Sequence, residues 1–282
     1  MKIAITGATG NLGSQVVNKL KERVGAENII ALARTPEKAA NLGVEVRAFD
    51  YYKPEEMELA LVGVDKLLLI SGDDIGKRIE QHKNVVNAAI KAKVNAITYT
   101  SLLNLDDSSI GFAPEHVETE KEIKKSGIPY TFLRNGWYTE NYLASLPTVL
   151  ELGAVYGSAG SGKITSATRA DLAEAAAIVL SLDAQEGKTY ELSGEEVFTM
   201  NDYAAEIARQ TGKDISYVNL QEEDYASALE KAGLPEGLAK IIAGADTATS
   251  KGDLYYAGNE LAELLGRPTV TLKEAIANTL AK

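Results

Sequence analysis

Cysteine is absent from all 282 residues. That excludes disulfides, thiolate nucleophiles and cysteine-held metals. Histidine is nearly absent: His82 and His116 are the only two, too few for a histidine-rich site, so no metal is expected. Positive charge is short as well. Lys and Arg number 29 against 40 Asp and Glu, a net charge of −11. Such a surface repels a phosphate backbone, and no basic patch offsets it, so nucleic acid is not an expected partner. Long apolar runs are also missing. The N-terminal run is five residues and ends in glycine, too short for a signal segment. Nothing approaches the ~20 apolar residues that span a bilayer, so no membrane insertion is expected. The expectation is a cytoplasmic protein with a small-molecule partner. Its length allows one large core or two modest ones.

Glycine is plentiful where it matters most. Lys2 to Thr6 has the length and bounds of a buried strand, and Gly7-Ala8-Thr9-Gly10-Asn11-Leu12-Gly13 follows it directly. Leu12, Val16, Val17 and Leu20 then recur at helical spacing, so a helix opens near Gly10. Strand, glycine turn and helix together suit the pyrophosphate of a dinucleotide. The turn is tight, the backbone comes close to the ligand, and the helix presents unpaired N–H groups and its positive dipole end. Gly7, Thr9, Gly10, Asn11 and Leu12 are the candidate contacts. The spacing is G-x-x-G-x-x-G, a departure from the G-x-G-x-x-G of the NAD pattern.

A second strand, Ile29 to Ala33, ends at Arg34. The NAD pattern puts a carboxylate there, about 20 residues past the glycines, to grip the ribose 2′-OH. A guanidinium instead suits a 2′-phosphate through charge-assisted bonds, which favours NADPH.

Further strands are expected at Val44 to Asp50, Lys66 to Ser71, Ala96 to Ser101 and Tyr130 to Leu133, with helices at Pro54 to Leu61, Ile79 to Ala92 and His116 to Ser126. This alternation predicts an α/β fold with a Rossmann-like doubly wound parallel sheet. Ser71 and Gly72 lie at a strand's carboxyl end, where such sheets hold ligands. His82 falls on a polar helix face and reads as solvated. Beyond residue 134 the rhythm changes. Arg169 to Leu182, 200–212, 221–232, 235–243 and 271–281 read as helices, and Thr189 to Leu192 as a strand. Residues 1–134 are therefore expected to form a dinucleotide-binding domain, to which 166–192 can contribute, and 135–282 a smaller, helix-rich substrate lobe.

The glycine turn, Arg34, Tyr99-Thr100-Ser101 and Ser126 to Gly136 together resemble the NmrA-like branch of atypical short-chain dehydrogenases/reductases. Leu67 to Ser71, His116 to Lys121, Asn135 to Tyr142 and Ser166 to Asp171 resemble, within it, the bacterial quinone oxidoreductases. The likeness covers nearly the whole chain. It implies NADPH oxidation coupled to quinone reduction; the sequence carries no flavin signature, so no flavin is expected. It also implies that Asn135, Gly136, Trp137, Tyr138, Glu140, Thr168 and Arg169 border the cofactor, and that Asn141 is the residue most closely tied to hydride transfer. An asparagine carries both a donor and an acceptor, so either could serve there.

One departure bears on the chemistry. Most short-chain dehydrogenases use a Tyr-x-x-x-Lys acid pair. In that register this chain offers Phe112-Ala113-Pro114-Glu115-His116. Phenylalanine has no proton to give, so alcohol and ketone chemistry through the usual acid is not expected. A quinone needs no acid at the hydride step, and His116, Thr100, Tyr138 or water are the candidate proton sources. Phe112 itself reads more as a packing residue than as a stacking platform. The missing pair equally fits a second reading, a non-catalytic NmrA-like NADP(H)-binding redox sensor or regulator. A third, reduction of another carbonyl or epimerisation of a nucleotide-sugar, is weakened by Phe112. Oligomeric state is left open, a homodimer being allowed.

Overall fold

The structure is a computed structural model that describes residues 1–281. The first part alternates: β1 (Ile3–Ile5), α1 (Gly13–Val24), β2 (Ile29–Ala33), β3 (Glu45–Ala48), α2 (Pro54–Ala60), β4 (Lys66–Leu69), α3 (Arg78–Ala92), β5 (Ala96–Leu102), α4 (Ala113–Lys125) and β6 (Tyr130–Asn135). An excursion follows through α5 (Thr139–Leu143), α6 (Leu146–Leu152) and β7 (Ala154–Gly157). The chain returns in α7 (Arg169–Ser181) and β8 (Lys188–Leu192). It leaves again through α8 (Met200–Thr211), β9 (Ser216–Asn219), α9 (Glu222–Lys231), α10 (Glu236–Ser250), α11 (Glu260–Leu265) and α12 (Leu272–Leu280).

Seven strands form one parallel sheet in the order β3-β2-β1-β4-β5-β6-β8. The alternation of side chains along each strand builds two cores from one sheet. Ile3, Ile5, Ile29, Ala31 and Leu68 pack under α1 and α7 with Val16, Val17, Leu172 and Ala176. Ala4, Ile30, Leu32, Leu67 and Leu69 face the other way, onto Met57, Val85, Ala89 and Ile123 of α2, α3 and α4. Both faces are covered, which is why these strands read as continuous apolar runs. The fold is the expected Rossmann-like doubly wound sheet. Strand order reverses between β1 and β4, and ligand crevices form at such a point.

A third core gathers Leu143, Val149, Val155, Phe198, Tyr203, Ile207 and Ile276 around a two-stranded parallel sheet, β7 with β9. Among the described residues, no helix is long and apolar enough to cross a membrane, and no group of acidic and histidine residues is placed to hold a metal ion.

Several sequence expectations are corrected. α1 starts at Gly13, not near Gly10, because the turn itself spends the first residues. α4 starts at Ala113, three residues before His116, with Pro114 in its first turn, a position where a missing N–H costs nothing. Between β2 and β3 runs a 3-10 helix, Pro36–Leu42. α10 continues to Ser250, well past residue 243. The excursion at 139–157, β9 and α11 have no counterpart in the sequence reading.

Candidate active site

The glycine turn folds around one carbonyl. Gly7 is in the left-handed region with φ +58°, and the Gly10 N–H donates to its oxygen at 2.9 Å. A Cβ on Gly13 would lie 2.2 Å from that same oxygen, so α1 sits as close to the turn as a glycine allows. No side chain caps the start of α1, and its first turn has no acidic residue. The Ser14 N–H is taken by the Gly10 carbonyl at 3.0 Å, which leaves the neighbouring N–H groups of the first turn and the dipole open to an anion. Thr9, Gly10 and Asn11 are exposed on this rim, whereas Leu12 points into the core. Arg34 is exposed just past the carboxyl end of β2, next to β1. Ser71 and Gly72 continue β4, on the other side of β1.

The Asn135 to Asn141 string and Thr168-Arg169 meet, although they are far apart in sequence. The Ala167 N–H donates to the Trp137 carbonyl at 3.0 Å, and the Thr139 N–H donates to the Ala167 carbonyl at 3.0 Å. This lays residues 137–139 alongside the N-terminus of α7. Thr168 Oγ1 caps that helix by accepting from the Asp171 N–H at 3.2 Å. The Glu140 carboxylate accepts from the Arg169 N–H at 2.9 and 3.1 Å and lies 3.6 Å from the Arg169 guanidinium. That guanidinium also stacks over the Tyr138 ring at 4.3 Å. Its Nη2 donates to Asn141 Oδ1 at 2.9 Å. Arginine has only donors, so the Asn141 oxygen is fixed toward Arg169 and its NH2 faces away. The acceptor half of Asn141 is thus already in use; what the exposed side chain offers a ligand is a donor.

Asn135 ends β6 and is buried, and its Oδ1 has no hydrogen-bond partner. Ser193, just after the neighbouring β8, is buried with its hydroxyl equally unpartnered. Both lie at the carboxyl end of the sheet, where an incoming polar group would satisfy them. Tyr138 is only half-buried, and desolvation raises its phenol above the usual range.

Both histidines differ from a surface reading. His82 is 1% exposed and His116 is 4% exposed. This corrects the solvated reading of His82: α4 covers the polar face of α3, and Thr119 supplies a partner for the ring at 2.8 Å. Thr100 Oγ1 accepts from the Ser71 N–H at 2.9 Å, and the Ser101 hydroxyl donates to Glu120 at 2.7 Å, so the Ser101 proton is committed and Thr100 is held against the β4 end. Phe112 is half-buried and packs against Leu102, Ile110 and Trp137. Arg78, which the sequence reading did not single out, lies between these groups. Its neighbours come from α4 and the β4–α3 turn, and no local pattern in the sequence joins them.

Burial, and then the Arg78 charge, hold both histidines neutral, each pushed down to about 3. The unfolded chain binds those protons near pH 6.5. The stability they confer is therefore complete above that pH and drains away as the pH falls toward the folded values. Asp246 works the other way, because burial lifts its carboxyl to about 6 and protonation below that pH relieves it. Two histidines outweigh one carboxyl. The net expectation is a loss of about 2 kcal/mol of unfolding free energy between about pH 7.5 and about pH 5.5. Urea unfolding at the two pH values measures it, and an unchanged midpoint would contradict the burial of the rings.

Comparison with known proteins gives a consistent picture. The NmrA-like family model matches residues 1–264. Quinone oxidoreductase 2 of Escherichia coli (strain K12) is 52% identical over 98% of both chains. The crystal structure of an NADPH-dependent quinone oxidoreductase from Escherichia coli, complexed with NADPH, superposes with a TM-score of 0.97 at 51% identity, covering 99% of each chain. A Citrobacter triphenylmethane reductase complexed with NADP(H) superposes with a TM-score of 0.95 at 41% identity, covering 99% of this chain and 100% of that one. With its glycine turn, its parallel sheet and a family match over nearly its full length, this chain belongs to the NmrA-like family.

Proposed function

We propose that this chain is an NADPH-dependent quinone reductase that passes a hydride directly to a quinone without the usual Tyr/Lys acid pair. The observation that carries the reading is the 52% identity to quinone oxidoreductase 2 across 98% of both chains. The residues present fit the cofactor. The uncapped start of α1 receives a pyrophosphate through its N–H groups, with Gly7, Thr9, Gly10 and Asn11 along the rim and Leu12 anchoring the turn from below. Arg34 meets the 2′-phosphate. Ser71 and Gly72 flank the crevice on the β4 side. Asn135, Gly136, Trp137, Tyr138, Glu140, Thr168 and Arg169 border the nicotinamide end, where the unpartnered Asn135 Oδ1 awaits a donor such as an amide N–H.

When bound, NADPH supplies the hydride. The chain supplies position and electrostatics. Asn141, turned by Arg169, directs its NH2 at the oxygen where negative charge grows. The Tyr138 phenol, its pKa raised by desolvation, is a side-chain proton donor in this string, and water is the other source. His116 is left out of the proton route because it is buried, neutral and hydrogen-bonded to Tyr99 at 2.8 Å. We place the substrate lobe at 135–282, with α7 and β8 shared with the sheet, and the working location in the cytoplasm. The redox-sensor reading has no observation of its own in its favour.

The test mixes the purified protein with NADPH and menadione and follows the nicotinamide absorbance band. Rapid consumption is expected. Asn141→Ala lowers kcat by about tenfold or more while leaving NADPH affinity within about threefold, because it removes a donor and no cofactor anchor. Tight NADPH binding with no consumption above background would replace the enzyme with the sensor. An unchanged Asn141→Ala rate would remove that residue from the mechanism.

A further inference from the structure

Two side chains, one helical turn apart on α3, close on the backbone of a single residue. Arg78 Nε donates to the Gly72 carbonyl at 2.5 Å, and the Gly72 N–H donates to His82 Nε2 at 2.9 Å. Because Nε2 accepts, the His82 proton sits on Nδ1, where it is donated to Thr119 Oγ1 at 2.8 Å. The Thr119 hydroxyl donates onward to the Glu115 carbonyl at 2.8 Å. Behind Arg78, its Nη1 lies 3.4 Å from His116 Nε2. A guanidinium only donates, so His116 also carries its proton on Nδ1, facing the Tyr99 hydroxyl at 2.8 Å. The Arg78 guanidinium rests 5.1 Å from the centre of the Phe112 ring. Two α3 side chains are thus backed by two from α4, and every ring proton has a defined direction.

The turn these groups hold has little support from backbone hydrogen bonds along Ile70 to Gly72. Side chains hold it instead: Tyr51 on the Ile70 carbonyl at 2.8 Å, Thr100 on the Ser71 N–H at 2.9 Å, and Glu115 on the Gly76 N–H at 2.9 Å. A Cβ on Gly72 would come within 2.7 Å of Gln81 Oε1, so the Gln81 side chain packs against this glycine and would have to move for a larger residue. The turn also abuts the glycine turn, because a Cβ on Gly7 would touch Ile70 at 3.8 Å. Together they wall the crevice where strand order reverses.

We propose that His82 and Arg78 are positioning residues that clamp the Gly72 backbone, at its N–H and its carbonyl, as one wall of the dinucleotide site, and that Phe112 and His116 serve this clamp instead of an acid pair. The inference rests on the cofactor reading above. It gives a role to the phenylalanine and histidine that stand at Tyr-x-x-x-Lys spacing at the start of α4. The Gly72 N–H and carbonyl are both turned inward, so the wall offers a ligand its shape and the Ser71 side chain rather than the Gly72 amide.

The test compares full-length His82→Phe and His82→Gln with the parent protein. NADPH and NADH affinities are read by nicotinamide fluorescence without quinone, kcat by NADPH oxidation with menadione, and Gly72 amide protection by hydrogen exchange. His82→Phe leaves the Gly72 N–H unpaired, so both dissociation constants rise by about tenfold and by the same factor, with kcat at saturating NADPH within about threefold. His82→Gln offers a side-chain oxygen to the same N–H and recovers most of the affinity and protection. The proposal is overturned if His82→Phe binds like the parent, if His82→Gln fails as completely as His82→Phe, or if kcat falls while affinity holds. Should the parent protein bind no NADPH, the cofactor reading falls by itself. The exchange data then judge the clamp: faster Gly72 exchange in His82→Phe, restored in His82→Gln, upholds it, and unchanged exchange ends it.

Discussion

Gly13→Ala abolishes useful NADPH binding, raising the dissociation constant by about a hundredfold or more. The added methyl would sit 2.2 Å from the Gly7 oxygen and 3.0 Å from the Ala8 Cα, both backbone atoms that no rotamer change can move. The helix must therefore lift away from the turn. Lifting it separates the open N–H groups of α1 from the place where the pyrophosphate rests. It also loosens Val16, Val17 and Leu20, all fully buried against the sheet. Melting temperature falls along with affinity. Gly237→Ala is the matched control, since nothing lies within 4 Å of a Cβ there. It is expected to bind as the parent does. Gly13→Ala binding within about threefold of the parent would remove the glycine turn from the phosphate site.

Arg34→Ala has the next largest effect, and its mark is selectivity. The side chain is exposed at the end of β2 and lies on the same sheet edge as the glycine turn. A charge-assisted pair with a 2′-phosphate is worth about 1.5–3 kcal/mol, so NADPH affinity drops about ten- to a hundredfold. NADH lacks that phosphate and loses less than about twofold. Arg34→Lys recovers only part of the loss, because an ammonium has the charge without the planar fork. Equal effects on the two nucleotides would show that Arg34 does not read the 2′ position. Titration of each variant with both nucleotides settles it, and raising the salt concentration should shrink the NADPH advantage.

The nucleotide half was legible because its information is local. Ile29 to Ala33 is the second strand in both sequence and structure, since a short apolar run covered on both faces has no competing reading. Ala96 and Tyr130 likewise begin strands where the sequence placed them. The excursion was not legible. β9 is Ser-Tyr-Val-Asn, four partly exposed residues that pair with β7 some sixty positions earlier. A strand that short has no period of its own; its partner makes it a strand. His82 failed for a related reason. Glu80, Gln81 and Lys83 around it look like a solvated face, and it takes Thr119, brought over by α4, together with the Tyr51 and Tyr99 rings to bury the imidazole. Arg78 stood out in no motif because each group that it touches comes from another turn of another element. At the candidate active site, the string from Asn135 to Asn141 was visible as a string. That Arg169 would take the Asn141 oxygen and leave only the amide to a ligand required the fold.

β8 has a consequence for anyone hoping to cut this molecule down. The chain lays β8 against β6 only after its first excursion, and α7, made on the way back, covers α1 and half of the sheet. A fragment stopped at residue 134 would bare an unprotected strand edge together with the apolar side of α1. Such a fragment is an invitation to intermolecular pairing and belongs in inclusion bodies rather than in solution.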